Sequence, residues 1–153
     1  MVEALEIDPF DSNHFLYGTG QTIYGSHDLT SFPYVHISSL ANGIEEESVQ
    51  ALISPPGIGA PLVSAVGDDC GFVHYNLGIT PENTFEDPYL STTVGLDYAG
   101  LSPSNIIRIG NSAGTAQLAI STNAGKNWTT NPAVPTTAAS GTVALSADGK
   151  AIL

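Results

Sequence analysis

Residues 64–74, Ser64-Ala65-Val66-Gly67-Asp68-Asp69-Cys70-Gly71-Phe72-Val73-His74, place two carboxylates and a thiol between glycines at the end of an apolar run. An acid at the mouth of a strand, on a backbone without bulk to either side, is well placed to reach a ligand. Partial burial would raise its pKa and make it a proton donor at mildly acidic pH. Adjacent residues of an extended chain point to opposite sides. Asp68 and Asp69 therefore cannot form one acid–base pair; at most one acts, and its partner comes from elsewhere. On spacing alone the simpler reading is a pair of turn aspartates. Cys70 is the only cysteine, so no internal disulfide exists. Its sequence neighbours are Asp68, Asp69 and Gly71, not the cation that activates a thiol, and it reads as a buried, incidental residue.

Other candidates resolve to turns. Gly110-Asn111-Ser112-Ala113-Gly114 fits the Gly-x-Ser-x-Gly of a nucleophile elbow. That motif needs a helix after it, and Thr115 to Ile120 read as a strand. The matching histidine must also follow the serine in the chain, and all four histidines precede it. His14, His27, His36 and His74 show no metal-ligand spacing, so no metal or cofactor is implied. Gly18-Thr19-Gly20 lacks the third glycine of a dinucleotide loop. Glu45-Glu46-Glu47 reads as a solvated acidic loop. Most aromatics of a β-rich chain fill its core.

The elements that must hold these residues are strands. Ser121-Thr122-Asn123-Ala124-Gly125-Lys126-Asn127-Trp128 reads as the Ser-x-Asp-x-Gly-x-x-Trp hairpin known as an Asp-box, with Asn for Asp. Gly125 supplies the positive φ of the turn, Asn123 bonds the turn backbone, and Trp128 packs back over the sheet. The pattern repeats. Apolar runs ending in glycine recur at 15–18, 62–67 and 106–110, and 151–153 opens a fourth. Each follows a turn, at Asp8-Pro9, Ser54-Pro55-Pro56, Ser102-Pro103 and, more loosely, Ser146-Ala147-Asp148-Gly149. The period is roughly 45 residues, as in four-stranded propeller blades. No helical period is sustained, and Gly and Pro punctuate the chain throughout. These features predict an all-β partial β-propeller, about three four-stranded antiparallel blades plus the start of a fourth. The expected boundaries are 1–47, 48–92, 93–138 and 139–153. Because rings close with about 4–8 blades, the chain is expected to be an arc of a larger protein.

Composition narrows the partners. Three basic residues stand against fifteen acidic ones, a formal net charge of -12. Nucleic acid and anionic membranes both demand clustered Lys and Arg. No apolar run reaches membrane-spanning length. Low charge density with abundant Gly, Ser, Thr and Pro suits an extracellular β protein; no signal segment precedes the first strand, so any such signal is expected upstream. Asn127-Trp128-Thr129 is a glycosylation sequon. Sialic acid chemistry needs an arginine cluster, and the chain offers only Arg108.

Taken together, Ile7-Asp8-Pro9-Phe10-Asp11-Ser12, Leu16-Tyr17-Gly18-Thr19-Gly20, Ile23-Tyr24-Gly25-Ser26, Leu52-Ile53-Ser54-Pro55-Pro56, Gly67 to His74, Leu96-Asp97-Tyr98-Ala99-Gly100 and the Asp-box resemble, in order, the xyloglucanases of glycoside hydrolase family 74. The Gly-Asp-x-x-Gly-Phe segment is the most specific match. The resemblance implies two tandem seven-bladed propellers that cleave β-1,4-glucan bonds of xyloglucan with inversion, one aspartate coming from each. It places the general acid on Asp68 and assigns nothing to Asp69, which stands where the family often has an aliphatic residue. It puts these blades early in the second propeller and the general base in a missing amino-terminal propeller. Phe72, His74 and Tyr98 are the best-placed candidates to bind xyloglucan or a related β-glucan. The alternative is a non-catalytic propeller scaffold that binds polysaccharide or protein.

Overall fold

The computed structural model describes residues 2–20, 22–43, 47–112, 114–132 and 141–153. Glu45 and Glu46 of the acidic loop, Gln21 and Ala113 lie outside the described residues. The chain divides into two compact units, Met1–Glu47 and Ser48–Leu153. Among the described residues every regular element is a strand, and every strand pairing is antiparallel.

The first unit is one four-stranded meander: β1 (Ala4–Ile7), β2 (Phe15–Gly18), β3 (Ile23–Ser26) and β4 (Ser38–Ser39), adjacent in chain order. The second unit carries two sheets. One is β5 (Val49–Ile53), β6 (Leu62–Val66) and β7 (Gly71–His74). The other is β8 (Thr92–Ala99), β9 (Ser102–Ser112), β10 (Thr115–Ser121) and β11 (Thr129–Asn131). A bridge between Leu145 and Ile152 closes a short hairpin near the carboxyl end. Asp97 Oδ2 ties that hairpin to β8 by accepting from Leu145 N at 2.6 Å.

The middle sheet has three strands, not the four expected of residues 48–92. Pro81 and Pro88 cannot donate to a ladder, and residues 75–91 run without strand pairing. The core of this unit joins its two sheets. Val63, Ala65, Cys70, Phe85, Leu90, Leu96 and Ile106 form one buried cluster. Val63–Val66 and Ile106–Ile109 are buried at every position, which is why they read as mostly apolar runs, broken only by Ser64 and Arg108, rather than as alternations.

The Asp-box hairpin forms as its residues dictate. Ser121 Oγ accepts from Gly125 N at 2.8 Å, and Asn123 Oδ1 accepts from Asn127 N at 2.9 Å. Gly125 takes φ +82, and Ala124 before it is also left-handed at +63. The same serine device recurs where the sequence pattern did not reveal it. Ser26 Oγ donates to Asp28 Oδ1, and Ser146 Oγ donates to Asp148 Oδ1 at 2.7 Å. Gly110 to Ser112 end β9 and Thr115 opens β10, so the Gly-x-Ser-x-Gly sequence is a hairpin between strands.

Candidate active site

Asp68 stands on the turn that joins β6 to β7. Asp68 and Cys70 are both left-handed, at φ +68 and +63, and Gly71 sits at +148. Only glycine fits the last position: a Cβ there would lie 2.2 Å from the Ser64 carbonyl oxygen and 2.7 Å from the Phe85 ring. The turn closes on itself through Asp69 N to Gly67 O (2.8 Å), Gly71 N to Asp69 O (2.6 Å) and Val66 N to Cys70 O (3.3 Å). Outside groups brace it. Gly67 N donates to Ser48 O at 2.8 Å, Thr84 Oγ1 contacts the carbonyl of Asp69, and Tyr89 Oη donates to the carbonyl of Asp68 at 2.7 Å. Desolvation, followed by the nearby acidic groups of Asp69 and Asp68 and the Cys70 thiol, raises the Tyr89 phenol above its ordinary value. It therefore stays a donor.

The two aspartates sit in a tight turn, which is the simpler reading of their spacing, with left-handed backbone at Asp68. Asp68 is not partly buried: its side chain is exposed, and among the described residues its carboxylate takes no hydrogen bond or ion pair. The arrangement is a free carboxylate on a rigid mount, with backbone and not side chain held in place.

Phe72 and His74 share one face of β7, with ring centroids 6.1 Å apart. In register they align with Ser64 and Leu62 of β6, and His74 Nε2 lies 2.9 Å from Ser64 Oγ. Burial lowers the His74 pKa from 6.5. Tyr98 does not join them. It stands on β8, paired with Ile106 of β9, and packs against the core cluster. Phe72 and His74 thus form one patch on β7, and Tyr98 stands apart from it on β8.

Cys70 is fully buried, and it has the cationic neighbour that its local sequence lacks. Arg108 Nη1 donates to its Sγ at 2.8 Å, and Thr93 Oγ1 lies 3.6 Å away. Arg108 Nη2 reaches the carbonyls of Glu86 (3.0 Å) and Pro88 (2.6 Å). Its guanidinium stands over the Phe85 ring at 5.1 Å and the Trp128 ring at 4.7 Å. Burial pushes the Arg108 pKa down, and Cys70 pulls it back. Spacing could not have found this pair, which is separated by 38 residues. The available signal was a single basic residue inside the apolar run Ile106-Ile107-Arg108-Ile109.

In the first unit, His14 Nδ1 meets Asp8 Oδ2 at 3.2 Å and stacks on His27 at 4.0 Å. No group of three or more metal-binding side chains assembles among the described residues.

A chain of antiparallel meanders, carrying a solvent-facing carboxylate on a braced turn, defines an all-β repeat protein with a candidate acid site. Known proteins narrow the class. No family model matches the chain. It is 52% identical to a xyloglucanase of Hypocrea jecorina, over 100% of this chain and 19% of that protein. It is 41% identical to a xyloglucanase of Acetivibrio thermocellus, again over 100% of this chain and 19% of the relative. An oligoxyloglucan-reducing end-specific xyloglucanase of Emericella nidulans matches at 36% over 98% of this chain and 20% of its own length. The crystal structure of the family 74 xyloglucanase from Xanthomonas campestris superposes with a TM-score of 0.76 and 32% identity, covering 97% of this chain and 22% of that one. The resemblance to glycoside hydrolase family 74 xyloglucanases thus holds along the whole chain, which spans about a fifth of the length of those relatives.

Proposed function

We propose that this chain is part of a secreted, inverting glycoside hydrolase that cleaves β-1,4-glucan bonds of xyloglucan, with Asp68 as its general acid. The observation that supports this reading is the match to xyloglucanases over the whole chain, with Asp68 exposed on a braced turn. Each sheet is then a blade of a propeller, and the remaining blades and the general base belong to sequence outside this chain.

The chemistry divides accordingly. Asp68 gives its proton to the glucosyl oxygen as the glycosidic C–O bond breaks. A water on the opposite face loses a proton to the second carboxylate and attacks the anomeric carbon, so the configuration inverts. The two carboxyl groups stand about 6.5–9.5 Å apart to admit that water. Asp68 is exposed in this chain, so a bound glucan would supply the desolvation that favours its protonated form. Phe72 and His74 offer a surface for sugar binding.

The test uses the whole protein that carries this chain. Asp68→Asn should lower turnover of xyloglucan by about 10²–10⁴-fold. It should spare a dinitrophenyl glycoside, whose leaving group needs no proton. Unchanged xyloglucan hydrolysis would sink the assignment. The isolated chain should hydrolyse neither substrate, and robust activity from it would show that no second carboxylate is needed from elsewhere.

A further inference from the structure

Of the three basic residues in the chain, Arg108 alone is fully buried, and among the described residues no carboxylate pairs with it. Its Nε is also buried without a partner. Burying a cation without a counter-ion is expensive, and an apolar side chain would fill β9 at less cost. The contacts of Arg108 show what the charge holds.

We propose that Arg108 is the positioning residue for Asp68, fixing the turn on which that carboxylate stands from both sides. On one side, Nη1 grips Cys70 Sγ at 2.8 Å. Cys70 lies two residues beyond Asp68 and shares its left-handed backbone. On the other side, Nη2 grips the carbonyls of Glu86 and Pro88 at 3.0 and 2.6 Å. The next residue, Tyr89, donates to the Asp68 carbonyl at 2.7 Å. The guanidinium is planar and presents five donors in a fixed fork, and Phe85 and Trp128 flank it within about 5 Å. One rigid group therefore references both the far end of the turn and the strap that crosses it. Lysine, a single point of charge, cannot hold both.

The inference rests on the reading of Asp68 as proton donor, and its test separates the two. In the whole protein, kcat and KM are measured for Arg108→Lys, Tyr89→Phe and Asp68→Asn on xyloglucan and on a dinitrophenyl glycoside of the same oligosaccharide. Misplacement of a reacting group by about 1 Å costs on the order of 10²-fold. Arg108→Lys should therefore lower kcat on xyloglucan by about 10- to 100-fold, with KM nearly unchanged and the dinitrophenyl substrate largely spared. Tyr89→Phe, at a half-exposed ring, should show the same signature more weakly, and it keeps the test valid if Arg108→Lys does not fold. Suppose Asp68→Asn shows the leaving-group signature but the other two variants slow both substrates equally, or neither. Then Arg108 is structural only and the inference is overturned. If Asp68→Asn itself spares xyloglucan, the general-acid reading fails and the inference falls with it.

Discussion

Arg108 Nη1 lies 2.8 Å from Cys70 Sγ, across 38 residues of sequence and inside the core that joins the two sheets of the second unit. The pair turns two unpromising residues into one structural feature. Cys70 has no exposed surface, and the cation beside it is equally enclosed. A thiol in that position meets reagent only when its surroundings open.

Cys70 should therefore be inert in the folded chain. Labelling by an aromatic disulfide should be slower than in denaturant by a factor on the order of 10³, following the local opening free energy. Arg108→Lys should accelerate it by loosening the turn. Labelling of the native chain at the rate of a free thiol would show that Cys70 is not enclosed.

Gly71 should not tolerate a side chain. Its added Cβ would meet backbone oxygen at 2.2 Å, and φ +148 is a region open essentially to glycine. Backbone strain of about 1–3 kcal/mol adds to an overpacking cost of about 1–3 kcal/mol. Gly71→Ala should lower the urea midpoint by the corresponding amount. Gly114→Ala is the control: its φ is +82, but nothing lies within 4 Å of the added atom. Equal losses at the two glycines would mean that the Ser64 and Phe85 contacts are unimportant.

The strands and the turn at Ser121–Trp128 are legible because each is written locally. The runs at 63–66 and 106–109 are buried on both faces, so only Ser64 and Arg108 interrupt their apolar signal. Gly125 and Trp128 mark their own turn. His27-Asp28 reads as a hairpin, but the Ser26–Asp28 bond within it leaves no sequence signal, because Thr30 stands where the repeat has glycine. Residues 75–91 were read as part of a four-stranded sheet, yet side chains hold the end of that segment. Arg108, Thr84 and Tyr89 supply the contacts a ladder would have made. Such contacts reach across more than a dozen residues and leave no periodic trace.

The serine of the Asp-box should matter more where it is buried. Ser121 Oγ accepts from Gly125 N and Asn123 N in a site with almost no exposure. Removing it strands buried donors at a cost of about 1–3 kcal/mol. Ser146 makes equivalent bonds at the surface, where water replaces them. Chemical denaturation of Ser121→Ala and Ser146→Ala should therefore differ, the first losing clearly more. Matching midpoints would mean that the recurrence is decorative.

Stability should fall in two stages on acidification. Burial lowers the His74 pKa below the 6.5 it has when unfolded. The unfolded chain then binds the proton first, so this contribution is fully present above pH 6.5 and lost as pH falls through the folded value. A second loss belongs to Asp8, Asp28 and Asp148. Their carboxyls are held below 3.8, chiefly by the Phe10 amide, the Ser26 hydroxyl and the Ser146 hydroxyl respectively. Their stabilisation is complete above pH 3.8 and disappears as pH drops through the lowered values. Thermal unfolding from pH 8 to 3 should show both stages, and His74→Gln should remove the first while leaving the second. A variant that retains the full decline between pH 7 and 5 would show that His74 is not its source.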